Sequence, residues 1–110
     1  MSAAEDGGVY ESKMRSKETD RLFDAILSLK NKEECYRFFD DLCTFGEIIA
    51  MSQRFQVAEE LYNGSTFSSI SERISVSSTT ITRVNKCLHY GADGYRAALD
   101  RMNGKDDTSE

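Results

Sequence analysis

The sequence contains no proline, no tryptophan and a single histidine among its 110 residues. Because proline is the strongest helix breaker, its absence leaves every segment compatible with helix. Three cysteines are an odd number, which does not suit a disulfide framework. No pair of cysteines has zinc-finger spacing, and one histidine adds little, so we expect no metal and no other cofactor. Cys35, Cys43 and Cys87 are interpreted as buried apolar side chains.

Long hydrophobic runs are also missing. No apolar run approaches the roughly 18 residues that a membrane helix needs, and the acidic N-terminus lacks the apolar segment of a signal peptide. The apolar share of 39% and the charged share of 30% are ordinary for a globular domain. We therefore expect one cytoplasmic domain without a membrane partner. The net charge of −5 counts at first against a nucleic-acid partner.

The chain divides by composition into an ordered centre and two polar ends. Residues 1–15 are interpreted as a flexible N-terminal arm, residues 16–102 as the folded domain and residues 103–110 as a flexible tail. In the domain the apolar residues recur with a helical period, and no window alternates as a strand would. The period predicts an all-α fold of six helices, at about 17–30, 32–43, 45–62, 66–74, 78–89 and 94–102.

Capping residues precede several of these helices. Thr44 and Glu47 have the spacing of a capping box. Thr66 (or Ser65), Ser77 and Asp93 are predicted N-caps of the last three helices.

Two short helices with a tight turn between them occupy residues 66–88. This spacing is typical of a helix-turn-helix. Ile70 and Ile74 supply the apolar positions of the first helix, and Ile81 and Val84 those of the second. Val76 falls in the turn, where it fills the angle between the two helices. The pattern predicts a DNA-binding element whose second helix enters the major groove.

The polar face of that second helix carries hydroxyl and basic side chains. Such groups reach phosphates and base edges, and a helix N-terminus itself favours phosphate. Arg73 and Gln53, outside this helix, are further candidates. The predicted contacts to double-stranded DNA on and beside the second helix are Ser77, Ser78, Thr79, Thr80, Thr82, Arg83, Lys86 and Arg73.

The charge is unevenly distributed along the chain. Residues 73–90 carry Arg73, Arg83 and Lys86 and no acidic side chain, whereas the segments before and after are each net acidic. The single basic segment therefore coincides with the predicted recognition helix. An acidic body around it predicts weak non-specific DNA binding.

Two other classes of function compete with DNA binding. Short helix pairs with serine-rich turns also occur in helical protein-interaction modules, and this alternative stays open. An enzyme is not expected, and no catalytic residue is assigned. Asp40 with Asp41, and Glu59 with Glu60, are adjacent, so their side chains diverge by about 100° around a helix and do not form a catalytic pair.

Three stretches carry a resemblance to a known family. They are EELYNGSTFSSI, TTITRVNKCL and HYGADGY. The chain resembles the Trp repressor superfamily over about residues 20–102, in particular the small bacterial Trp-repressor-related proteins of the YerC/YecD type. The resemblance implies a six-helix Trp-repressor-like fold, an intertwined homodimer with two helix-turn-helix units and a DNA-binding transcriptional regulator, a repressor.

The resemblance also bears on a small-molecule effector. Arg54 and Arg83 match the two arginines that hold tryptophan in Trp repressors, and they form the candidate effector pocket. Val84 stands where those proteins have a ligand-contacting glycine, and Cys87 where they have a serine that helps hold the ligand. These departures argue against tryptophan, and another small-molecule effector stays open.

The predicted apolar faces give a separate reason to expect a homodimer. Five amphipathic helices in about 85 residues carry more apolar surface than a thin monomer covers. The phenylalanines that precede the helix-turn-helix need partners: Phe23, Phe38, Phe39, Phe45 and Phe55. The alternative is that they fill a compact monomer core.

Overall fold

Six α-helices make up the described part of the chain. The computed structural model describes residues 10–104, in which there is no β-strand. The helices are α1 (Lys17–Leu27), α2 (Lys32–Leu42), α3 (Phe45–Tyr62), α4 (Phe67–Arg73), α5 (Ser78–Tyr90) and α6 (Gly94–Met102). The predicted all-α class and the six helices are confirmed. The predicted arm and tail lie largely outside the described residues.

Side-chain caps determine where the later helices begin. Thr44 and Glu47 form the predicted capping box of α3, with hydrogen bonds of 3.1 and 2.8 Å to each other's backbone N–H groups. Thr66 and Ser77 cap α4 and α5 as predicted. Asp93 precedes α6, but its side chain makes no capping hydrogen bond. Its backbone is left-handed, with φ of 67°, whereas a side-chain cap needs an extended residue.

The chain separates into two compact units, and the first ends at Leu42. In its described part, α1 and α2 are amphipathic, yet neither helix has a buried residue. Phe38 and Phe39 meet edge to face, with ring centroids 5.3 Å apart. Leu27 is 83% exposed and Tyr36 is 70% exposed. Much of the apolar surface of these two helices therefore faces solvent in one protomer.

The second unit begins at Cys43 and holds the hydrophobic core. The core is built from α3, α4, α5 and α6 together with the residue that follows α4. Its buried residues are Val57, Ala58, Ile70, Ile74, Ile81, Val84 and Leu99. The aromatic side chains of Phe55, Tyr62 and Tyr95 pack against it.

The helix-turn-helix is formed by α4, residues 74–77 and α5. Ile70 and Ile81 are fully buried, and Val76 in the turn is half-buried against the core. The prediction that these apolar side chains pack in the angle between the two helices is confirmed. Phe67 and Met102 are apolar side chains that are 43% and 64% exposed. They are the first residue of α4 and the last of α6, where a neighbouring turn of helix is missing on one side.

Polar and aromatic contacts fasten α6 onto α3. The Tyr62 hydroxyl donates a hydrogen bond to Asp100, which raises the pKa of Tyr62. The Arg96 guanidinium lies 5.9 Å from the centre of the Tyr62 ring. The rings of Phe55 and Tyr95 are 6.3 Å apart. Tyr95 thus packs α6 against the core, whereas Tyr90 at the end of α5 is 86% exposed.

Candidate nucleic-acid interface

The solvent-facing side of α5 forms a shallow depression of about 330 Å³, which we call the outer groove. Among residues 10–104, its walls combine three hydroxyl groups with two cations and include no acidic side chain. They are Ser78, Thr79, Thr82, Arg83 and Lys86. Ser78, Thr82 and Lys86 recur every four residues along α5, and Thr79 and Arg83 lie directly beside that row. The five side chains therefore share one exposed face of the helix. Such a face can donate hydrogen bonds to phosphates and base edges.

The two cations of the outer groove are available to a ligand. Within residues 10–104, Arg83 and Lys86 form no ion pair and no hydrogen bond with another side chain. Both are exposed. An incoming anion would therefore displace only water from them.

Ser77 and Thr80 differ from the other predicted contacts of α5. The Ser77 hydroxyl accepts the backbone N–H of Thr80 at 3.1 Å and donates to the Thr80 hydroxyl at 3.1 Å. These two hydroxyls are thus engaged in capping the helix. Neither lines the outer groove. Their contact with DNA stays a prediction.

Arg73 also lies apart from the outer groove. Its Nη2 donates to Glu60 Oε1 at 2.8 Å and to Ser69 Oγ at 2.9 Å. Glu60 Oε1 also accepts the Ser65 hydroxyl at 2.6 Å. Hydrogen bonds from Arg73 and Ser65 lower the pKa of Glu60 from 4.5 to about 2. Sequence reasoning missed Glu60, because its partner is 13 residues away and no local pattern signals the pair.

A second depression lies on another side of α5, and we call it the basic cavity. It measures about 580 Å³ and is lined by Arg54, Thr80, Arg83, Val84, Cys87 and Tyr95. The two arginines of the predicted effector pocket are thus brought to one cavity. Arg83 belongs to both the cavity and the outer groove. Tyr95, from α6, was not predicted as a lining residue, because only the tertiary fold brings α6 there.

The prediction of buried cysteines is wrong. Cys35 and Cys87 are exposed and Cys43 is half-buried, and all three are free thiols. Cys35 does share a helical stripe with Phe38, Phe39 and Leu42, but one protomer buries no residue of α2. Cys87 is exposed because it borders the basic cavity.

Two features are absent from the described part of the chain, a cluster of metal ligands and a membrane-spanning helix. Among residues 10–104, no three histidine, cysteine, aspartate or glutamate side chains come together as a metal site would require. In the same part of the chain, no helix has the length and apolar character to cross a bilayer.

The fold and the outer groove define a class of protein, an all-α protein built around a helix-turn-helix. The model of the family described as "Trp repressor protein" matches residues 17–103, which is most of the chain. The chain belongs to the Trp repressor family. The resemblance found in the sequence is confirmed by this match.

Relatives agree with that assignment. The chain is 54% identical over 90 residues to YerC, an uncharacterized protein of Bacillus subtilis (strain 168), with 82% of this chain and 86% of YerC covered. A crystal structure described as a candidate Trp repressor from Staphylococcus aureus has a TM-score of 0.79 at 52% identity, covering 83% of this chain and 91% of its own. A TrpR-like protein from Eubacterium eligens has a TM-score of 0.79 at 45% identity, covering 83% and 94%.

Proposed function

We propose that the protein is a transcriptional regulator, a repressor, that binds specific double-stranded DNA through α5 in the major groove. The observation that carries this proposal is the outer groove, where three hydroxyl groups share the exposed face of α5 with two cations that form no ion pair within residues 10–104. Membership of the Trp repressor family supports it. The proposed role is regulatory and cytoplasmic, and it requires no catalytic residue.

The proposed form of the regulator is an intertwined homodimer. The apolar faces of α1, α2 and the first half of α3 support this, because Leu27, Tyr36 and Phe45 are 83%, 70% and 82% exposed. Exposed apolar surface on this scale marks an interaction site. A twofold dimer would present two copies of α5 to half-sites about 34 Å apart, one turn of the duplex.

Arg83 provides the test of the DNA-binding proposal. After selection of a bound duplex from random-sequence DNA, Arg83→Ala is expected to weaken binding of that duplex by about 1–3 kcal/mol, or roughly 5- to 150-fold. The reason is the loss of a guanidinium that is free to reach a base edge or a phosphate. Fluorescence anisotropy titration at fixed salt measures the change.

Arg37→Ala is the matched control, because it removes the same charge from α2, where Arg37 pairs with Glu33 at 3.0 Å. We expect its affinity to equal that of the wild type. Equal affinities of Arg83→Ala and the wild type would remove Arg83 from the interface. Failure of the wild-type protein to select any duplex would favour the protein-interaction module instead.

The basic cavity favours a second candidate function, a regulator that responds to a small anionic effector. Arg54 and Arg83 face one cavity that no acidic side chain lines. A ligand present at 100 times its Kd would stabilise the fold by about 2.7 kcal/mol. In a thermal-shift screen of amino acids, organic acids and nucleotides, we expect an anionic compound to raise Tm, and tryptophan to leave it unchanged.

The matched pair for this screen is Arg54→Gln and Arg37→Gln. Arg54→Gln should abolish the shift in Tm and Arg37→Gln should not, because Arg54 lines the cavity and Arg37 does not. A screen in which no anion raises Tm would contradict the effector proposal. That result would not contradict the proposal that α5 binds DNA.

A further inference from the structure

A polar cluster joins the end of α3 to the first helix of the helix-turn-helix. Glu60 lies in the last turn of α3, Ser65 in the connecting loop, and Ser69 and Arg73 in α4. A single carboxylate oxygen, Glu60 Oε1, accepts from Ser65 at 2.6 Å and from Arg73 at 2.8 Å. Arg73 also donates to Ser69 at 2.9 Å. We call these four residues the α3–α4 clamp.

The clamp fixes a helix that has little else to hold it. With seven residues, α4 is far below the 12 to 15 residues at which an isolated helix becomes marginally stable. Only Ile70 of α4 is buried, with Ile74 directly after it. The hydrophobic contact of these isoleucines is not directional. The hydrogen bond from Arg73 to Glu60 adds a directional contact between α4 and α3, and Ser65 holds the same carboxylate oxygen from the loop.

The backbone of the loop reinforces the same geometry. Gly64 has a left-handed backbone with φ of 94°, which glycine adopts without a steric cost. This lets the Ser65 N–H donate to the Glu60 carbonyl oxygen at 2.9 Å. Ser65 thus binds Glu60 through its backbone and its side chain. The carboxylate is consequently held at one place relative to α3.

The clamp also determines what Arg73 can do. The Glu60 side chain is 28% exposed and the Arg73 side chain 48% exposed. Arg73 donates both of its hydrogen bonds from Nη2, to Glu60 and to Ser69, and these contacts fix the plane of its guanidinium. Arg83 and Lys86 have no such contact with a side chain of residues 10–104. A phosphate that required another orientation of Arg73 would have to replace both contacts.

We propose that Glu60 and Arg73 are positioning residues, which set the angle of α4 and thereby of α5, and that Arg73 makes no contact with DNA phosphate. The proposal rests on the DNA-binding function proposed above. It assigns the two residues an effect on the affinity for the selected duplex that needs no contact between Arg73 and phosphate.

Salt dependence separates a positioning role from a phosphate contact. Each phosphate contact adds about 0.9 to the slope of log K against log salt concentration. We expect Arg73→Gln to weaken binding of the selected duplex by about two- to fivefold, as the loss of an exposed ion pair would, without a change of slope between 50 and 200 mM salt. Lys86→Gln is the matched comparison and should lower the slope.

The exchange of the two charges is the sharper test. The double variant Glu60→Arg/Arg73→Glu keeps the ion pair but places a carboxylate on α4. For a clamp, its affinity should return to within twofold of the wild type. For a phosphate contact, the carboxylate would repel DNA and affinity would fall further than in Arg73→Gln. That fall, or a lower slope in Arg73→Gln, would overturn the proposal.

Acid unfolding tests the clamp without DNA and also detects a variant that has lost its fold. Because the pKa of Glu60 is about 2 in the folded protein and 4.5 ordinarily, its ionised form contributes stability above pH 4.5 that is lost as the pH falls towards 2. Arg73 and Ser65 are the groups that favour this ionised form. The hydrogen bond to Glu60, and to a smaller extent the negative charge of Glu72, raise the pKa of Arg73.

We therefore expect the difference in Tm between the wild type and Glu60→Gln to be largest near pH 6 and to shrink between pH 5 and pH 2. A difference that does not change with pH would overturn the clamp. If the wild type selects no DNA, the proposed function and the effect on affinity both fail, while a pH-dependent difference would still identify the ion pair.

Discussion

Replacing Phe23 and Leu27 together by glutamate is expected to convert the protein from a dimer into a monomer. Both side chains belong to α1 and lie four residues apart, so they share one side of the helix. They are 45% and 83% exposed in one protomer. Substitution of such exposed side chains removes little from the fold of the protomer itself. The two substitutions should therefore weaken association of the protomers and leave the fold of each protomer intact.

The size of this effect follows from symmetry. Full burial of a leucine or phenylalanine side chain contributes about 1.5–3 kcal/mol, and a twofold interface contains each residue twice. Because 45% of Phe23 and 83% of Leu27 remain to be buried, the double variant loses about 4–8 kcal/mol of association free energy, which is roughly three to six orders of magnitude in the dissociation constant. Charge repulsion between the new carboxylates adds to this loss. Sedimentation equilibrium at micromolar concentration measures it.

Arg21→Glu is the matched control on the same helix. It changes the charge by two units on the polar side of α1, where Arg21 is 86% exposed and pairs with Asp24 at 3.8 Å. Such an exposed pair contributes about 0–1 kcal/mol, so we expect the dimer to persist. A wild type that sediments as a monomer, or a double variant that remains a dimer, would contradict the proposed dimer.

Loss of the dimer also carries a consequence for DNA binding. A monomer presents one copy of α5 and reads one half-site, so it loses the contacts of the second. The double variant should bind the selected duplex much more weakly than Arg83→Ala does. The control Arg21→Glu should bind it as the wild type does.

Ile81→Ala is expected to destabilise the second unit strongly. Ile81 lies in the first turn of α5, is 1% exposed and packs in the core with Ile70 and Val84. Removing three carbon atoms from a closely packed core costs about 2–5 kcal/mol of unfolding free energy. For a chain of this size, each kcal/mol lowers Tm by about 4–8 °C.

Thr82→Ala serves as the neighbouring comparison, since Thr82 is exposed on the same helix. A surface substitution of this kind stays within about 0.5 kcal/mol of the wild type. Both variants should be melted at one protomer concentration, because association adds to apparent stability. If Ile81→Ala and Thr82→Ala had the same Tm, α5 would not be packed as described.

The elements that could be predicted from the sequence are those with local signals. The bounds of α3 agree with the prediction, because a capping box marks its start and Asn63 with Gly64 its end. The helix-turn-helix was recognised because its apolar residues fall within one short segment. The face of α5 that forms the outer groove follows from the same period.

The remaining features depend on contacts between distant parts of the chain. Periodicity identified the stripe that contains Cys35, but it does not say whether another helix covers that stripe, so the thiol was wrongly expected to be buried. Likewise, Arg73 looked like a free cation in a basic segment, and only the fold places it against Glu60. Tyr95 enters the basic cavity for the same reason.

The double placement of Arg83 has a thermodynamic consequence. Its side chain is a wall of the outer groove and also a wall of the basic cavity. Two ligands that contact the same flexible side chain do not bind independently. Binding of one ligand changes the populations of the Arg83 rotamers, and the other ligand requires particular rotamers of the same side chain. Linkage requires the coupling free energy to be the same in both directions. Occupancy of the cavity would therefore change the affinity for DNA by the same factor as DNA changes the affinity of the cavity.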